Sequence, residues 1–237
     1  MKKQFLFLKY FIQNPYNFNN VTAPEKSVIT LLKLCTSCFI FALIYGFSLA
    51  LLSGLSIVFF NYKLYEIFKS ESIVSFKHSA SKSYYIINII LLSPVYEELA
   101  FRLCLLVTKS TVAISFALVF LYYSGPIWAI EKFGISIFLR LLIAVLLAII
   151  ILSNDSIYTY LKTKKEHIFY ISLFLFSYTH FFNFKPLTGE KLLFSPVLAL
   201  PYFVYGAIFS YIRIYYGITY SIFIHILLNM ASIIIFG

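Results

Sequence analysis

With 237 residues, 61% of them hydrophobic and only 12% charged, the chain lies far outside the composition of soluble globular domains and is expected to be a polytopic membrane protein of a single domain. The net charge of +10 does not point to nucleic acid, because the Lys residues are dispersed in short loops and form no basic stripe; anionic lipid is the expected partner. Cys35, Cys38 and Cys104 lie in apolar runs, and the Cys35-x-x-Cys38 pair has no second pair or nearby His to complete a zinc site, so inert buried thiols are expected rather than redox or metal chemistry.

In chain order, residues 1–33 form an N-terminal segment: an amphipathic beginning from Phe5 to Ile12, then an Asn- and Pro-rich stretch through Pro24. Lys9, Gln13, Asn14 and Pro15 interrupt the apolar run and no small-residue cleavage site follows, so no cleaved signal is expected. Residues 34–237 make the membrane-embedded domain. Its first span runs from about Leu34 to Phe60, and residues 61–83 read as a polar loop or surface helix. A second span follows, then a third over about Thr111–Ile130 and a fourth over about Ile135–Leu152, joined by a turn at residues 131–134. Residues 153–166 read as a polar loop. The fifth span covers about His167–Phe184, the sixth about Leu192–Ile212 with Pro196 and Pro201, and the last Ile218–Phe236. At about 20 residues per span this is an all-α transmembrane bundle of about seven helices. A small excess of Lys and Arg on alternate segments places the N-terminus in the cytoplasm, and a bacterial cell membrane is the default location.

The second span carries the chemistry. Ser93-Pro94-Val95-Tyr96-Glu97-Glu98-Leu99-Ala100-Phe101-Arg102 places two carboxylates and a guanidinium inside the apolar run from Tyr84 to Val107. Charges at bilayer depth cost several kcal/mol by rough estimate, so they turn inward and find partners. On a helix Glu98 and Arg102 share a face, whereas Glu97 points about 100° away and is left for something else. Pro94, one turn earlier, frees a backbone carbonyl that protein or water must satisfy.

Two further spans bring polar groups to membrane depth: His180 on the fifth, and His225 with Asn229 one turn later on the seventh. Taken singly, a membrane His or Asn more often just bonds a neighbouring helix. Together they make a carboxylate and an imidazole to activate water, with a second imidazole and an amide to stabilise the oxyanion of an attacked carbonyl. Glu97, His180 and His225 could also ligate a divalent metal such as zinc, although no close ligand pair is present.

In order, Glu97-Glu98-x-x-x-Arg102, Phe176-x-x-x-His180 and His225-x-x-x-Asn229 resemble the motifs of the CPBP family of intramembrane proteases, which includes CAAX prenyl endopeptidases and bacteriocin-processing relatives. The resemblance covers about residues 84–237. It implies a glutamic endopeptidase without an obligatory metal or other cofactor, acting on a membrane-associated or lipidated peptide. Glu97 is then the base, His180 its partner, His225 and Asn229 the oxyanion stabilisers, and Glu98–Arg102 a structural pair, with Phe176 supporting the site. Typical members place the Phe-x-x-x-His helix directly after the acidic one; here two apolar spans intervene, and they are expected to pack at the periphery. The alternatives from other classes are a non-catalytic peptide-binding or immunity protein of the same fold and a proton-coupled transporter.

Overall fold

The computed structural model describes residues 2–16, 28–61, 64, 67, 86–125, 135–184 and 188–236. The turn expected at residues 131–134, most of the segment 61–83 and the stretch 17–27 lie outside them. The described elements are helical: α1 (Lys2–Gln13), α2 (Val28–Phe60), a broken motif helix containing α3 (Ser93–Glu97), then α4 (Lys109–Ser124), α5 (Ile135–Ser153), α6 (Asp155–Thr163), α7 (Lys165–Phe181), α8 (Gly189–Leu193), α9 (Ser195–Tyr215) and α10 (Ile218–Phe236).

Among the described residues three helices are long and apolar enough to cross a membrane, over Ile29–Phe60, Ile135–Ser153 and Ser195–Tyr215, and Lys109–Ser124 and Ile218–Ile234 are shorter apolar helices. The outward faces of α2 and α5 expose large side chains such as Phe47, Val58, Ile135 and Phe138. Such faces are stable against lipid tails, which are as apolar as the side chains themselves. The protein is therefore an all-α membrane bundle.

The second span departs from a single helix. It runs as a π turn (Asn88–Leu92), the α turn of α3, a second π turn (Glu98–Arg102) and a 3-10 turn (Leu103–Leu105). Pro94 explains the first irregularity. The Ser93 N–H donates to Asn88 O, five residues back, and in that register the donor to Ile89 O would be residue 94, which as proline has no N–H. Asn229 Nδ2 donates to Ile89 O instead, at 3.0 Å.

At its other end the motif helix stops inside the protein, and side chains from several elements satisfy the carbonyls it leaves. Ser115 donates to Ala100 O and Ser172 to Phe101 O. Arg213 donates to Arg102 O at 3.2 Å and to Leu103 O at 3.4 Å. Tyr16 reaches Leu105 O at 2.9 Å, Thr111 reaches Leu106 O at 2.5 Å and Tyr158 reaches Val107 O at 3.4 Å. An unpaired buried carbonyl costs about 1–3 kcal/mol, and a helix end away from water needs partners of this kind.

The expected loop at 153–166 is a helix instead. Asn154 caps it by accepting the Ile157 N–H at 3.0 Å, and Asp155 in the first turn suits the helix dipole. The segment 2–16 also docks into the bundle. Phe11 is fully buried, edge-on to Phe169 and Tyr211 at 5.4 and 5.3 Å between ring centroids.

The pair α4 and α5 does not come between the motif helix and α7. Helix α5 lies outermost, while α4 buries Val112, Ala113 and Ser115. On the other side, α7 and α9 approach closely at Gly206, where a Cβ would fall 2.7 Å from Leu173 Cδ1 and 2.9 Å from Phe176 Cδ1. The turn into α10 uses Gly217 at φ +105°, a conformation that costs glycine little.

Candidate active site

Glu98 is wholly buried and serves three partners. Arg102 Nη1 lies 2.9 Å from Oε1, as the i,i+4 spacing predicts. His225 Nδ1 donates to the same oxygen at 2.9 Å, and Ser221 Oγ lies 2.5 Å from Oε2. The Arg102 contact is one of charge rather than an aligned hydrogen bond, since Nη1 and Nε have no hydrogen-bond partner among the described residues. What holds the guanidinium flat is Phe176, whose ring centroid is 3.8 Å from Cζ, with Phe209 at 5.2 Å. The phenylalanine of Phe-x-x-x-His thus packs on the arginine of Glu-Glu-x-x-x-Arg. That contact links the two motifs physically.

Glu97 faces the other way. Ser93, one turn earlier on the same face, donates to its Oε1 at 2.5 Å. Its Oε2 looks at two imidazoles, with His180 Nε2 at 3.6 Å and His225 Nε2 at 3.8 Å. Both distances exceed a hydrogen bond. The far nitrogen of each ring is anchored: His180 Nδ1 donates to Phe176 O at 3.0 Å and His225 Nδ1 to Glu98. With the hydrogen on Nδ1, each neutral ring turns a bare Nε2 lone pair toward Glu97. Aromatic stacking fixes the ring planes, with Tyr202 on His180 at 4.3 Å and Phe209 on His225 at 4.5 Å.

These groups line one cavity of about 660 Å³ that also takes in Asn229, Tyr122 and the α2 residues Tyr45 and Gly46. Helix α2 docks there through Tyr45, whose hydroxyl donates to Val197 O at 2.5 Å. Pro201, four residues later, is what leaves that carbonyl without its helical donor.

The structure brings together all seven residues singled out in the sequence: Glu97, Glu98, Arg102, Phe176, His180, His225 and Asn229. It also adds contacts that the sequence did not suggest. His225 is held by Glu98 rather than standing free, Asn229 spends one N–H on Ile89 O, and Ser93 and Ser221 orient the two carboxylates. A signal for both serines was present, since Ser93 lies four residues before its partner Glu97 and Ser221 lies four before His225, on the helix face that His225 turns to their shared partner Glu98. Among the described residues no group of three His, Cys, Asp or Glu side chains is arranged to hold a metal ion.

No curated protein and no solved structure matches the chain. Residues 156–231 match the family model described as Type II CAAX prenyl endopeptidase Rce1-like. The matched stretch includes Phe176, His180, His225 and Asn229, while Glu97, Glu98 and Arg102 precede it. The two halves of the signature meet in space around one cavity, and the match bears out the resemblance of this chain to the CPBP intramembrane proteases of the CAAX endopeptidase type.

Proposed function

We propose that the protein is an intramembrane endopeptidase that hydrolyses a peptide bond of a membrane-associated substrate with water activated by Glu97 and His180. The observation that carries this reading is the Glu97 carboxylate: one oxygen is held by Ser93 and the other is unpartnered, facing two imidazole nitrogens. A water bound there meets two proton acceptors, the carboxylate Oε2 and a neutral Nε2. Its oxygen adds to the peptide carbonyl carbon as its proton passes to the Glu97–His180 pair, and the carbonyl electron pair moves onto oxygen. His225, when protonated at Nε2, and the second N–H of Asn229 donate hydrogen bonds to that oxyanion. Collapse breaks the C–N bond, and the leaving nitrogen takes the proton back from the pair.

Glu98 and Arg102 take no proton in this scheme. They hold the His225 ring at a fixed distance from Glu97 and keep the opposite wall of the site rigid. The reaction needs no metal, and chelators leave the rate unchanged.

The test compares cells producing the wild-type protein with cells producing Glu97→Gln at equal membrane levels. New N-termini of membrane proteins are mapped by mass spectrometry, and the substrate so found is then presented to purified protein in detergent. Cleavage by wild type and a loss of about two or more orders of magnitude in Glu97→Gln are expected. Identical N-termini in both cells would overturn the reading in favour of a binding protein or transporter. Activity abolished by chelator and restored by zinc would replace the mechanism with a metal-dependent one.

A further inference from the structure

Helices α4 and α5 stand between the acidic motif and the Phe-x-x-x-His motif in sequence and carry no acid or histidine on α4. Yet α4 delivers a tyrosine to the cavity. Tyr122 lines it together with Glu97, His180 and His225, and its phenol lies within electrostatic reach of the Glu97 carboxylate.

The ring is fixed from several sides. It stacks on Tyr96 at 5.6 Å with 17° between planes, and meets Phe101 edge-on at 5.4 Å and Tyr123 at 5.7 Å. Its neighbours spend their hydroxyls on the protein: Tyr96 donates to Leu118 O, and Tyr123 donates to Leu175 O beside Thr179 Oγ1. The Tyr122 hydroxyl has no hydrogen-bond partner among the described residues. A rigid ring with an uncommitted O–H in a cavity is a donor placed for whatever enters.

We infer that Tyr122 is a catalytic residue of the proposed hydrolysis, donating a hydrogen bond from its phenol to the oxyanion formed when water adds to the substrate carbonyl. The phenol keeps its proton throughout. The oxyanion gains an O–H···O contact as charge develops and loses it on collapse, so the step consumes no co-reactant. The donor inventory of the cavity favours this role. Asn229 has one N–H committed to Ile89 O, and His225 Nε2 carries a hydrogen only when the ring is charged, whereas the Tyr122 O–H is present in every state. Tyr202 lines the same cavity, but its ring is stacked on His180 and serves to hold that imidazole in plane. The intervening helix is then part of the active site rather than packing at its edge.

The inference rests on the protease reading, and the experiment separates the two. Tyr122→Phe keeps the stacked ring and removes only the hydroxyl, so melting temperature is unchanged, while kcat falls by about 100-fold and KM stays within about twofold, as for loss of one oxyanion donor. Tyr123→Phe removes a hydroxyl that only ties α4 to α7, so it lowers the melting temperature and leaves kcat of the folded enzyme alone. Glu97-dependent cleavage with Tyr122→Phe at the wild-type kcat, or a loss seen in Tyr202→Phe and absent from Tyr122→Phe, overturns this inference and spares the protease. Absence of any Glu97-dependent cleavage overturns both.

Discussion

Removing Glu98 should damage the protein far more than removing Glu97, although the two are adjacent. Arg102 is 1% exposed and lies 2.9 Å from Glu98, and the next carboxylate in electrostatic reach is Glu97. Glu98→Ala therefore leaves a buried guanidinium supported by the faces of Phe176 and Phe209 and by the more distant Glu97, strips His225 Nδ1 of its acceptor, and leaves Ser221 only the Phe209 carbonyl. Breaking a buried pair from one side costs about 3–5 kcal/mol. At about 2–4 °C per kcal/mol for a chain of this size, the melting temperature should fall by about 6–20 °C. Thermal unfolding in a mild detergent, followed by intrinsic fluorescence, measures this directly. Adding Arg102→Met to Glu98→Ala should recover part of the loss, because the stranded charge is gone. Glu97→Gln, by contrast, keeps an amide oxygen able to accept from Ser93 and leaves no charge behind, so its melting temperature should match wild type. A Glu98→Ala protein that melts within about 2 °C of wild type would refute the reasoning about this buried pair.

Gly206→Ala should destabilise by about 1–3 kcal/mol through overpacking, since the new methyl meets Leu173 and Phe176 at under 3 Å; the melting temperature checks it, and an unchanged value would mean that α7 and α9 separate freely. Ser172→Ala strands the Phe101 carbonyl and should cost about 1–3 kcal/mol, read in the same assay, whereas exposed Ser156→Ala should cost nothing measurable. Pro94→Ala supplies the missing N–H for Ile89 O, so Asn229→Ala should be less destabilising in that background than in wild type; equal losses in both would show that the amide does not serve as that carbonyl's cap.

Much of the site was legible because membrane burial makes polar residues conspicuous. Glu97, Glu98 and Arg102 stand out in an apolar run, and the i,i+4 rule alone pairs Glu98 with Arg102. That His225 would lean on Glu98 was not legible, since it depends on the rotation of α10 against the motif helix, which no local periodicity encodes. The motif span was expected as one helix, yet it is broken by π and 3-10 turns. Pro94 announced that a carbonyl would be freed, but donors to the later carbonyls come from Ser115, Ser172 and Arg213, each 15 or more positions away in sequence from the carbonyl it serves. The polar stretch 153–166 was taken as a loop because its composition is polar. Its Asn154 cap and the apolar Ile157, Tyr158 and Leu161 were the signals for the short helix that forms. The expectation that α4 would be peripheral followed from its lack of acids and histidines, and it overlooked tyrosine as a cavity-lining group.

The most direct test of the central claim, that Glu97 activates water rather than attacking the substrate itself, is a single-turnover cleavage in H2 18O with enzyme in excess over the substrate identified above. If Glu97 acts as a base, the new carboxyl terminus carries solvent 18O from the first turnover and the Glu97 carboxylate stays unlabelled. A first-turnover product without 18O, with label appearing in Glu97, would reveal an acyl-enzyme and contradict the account.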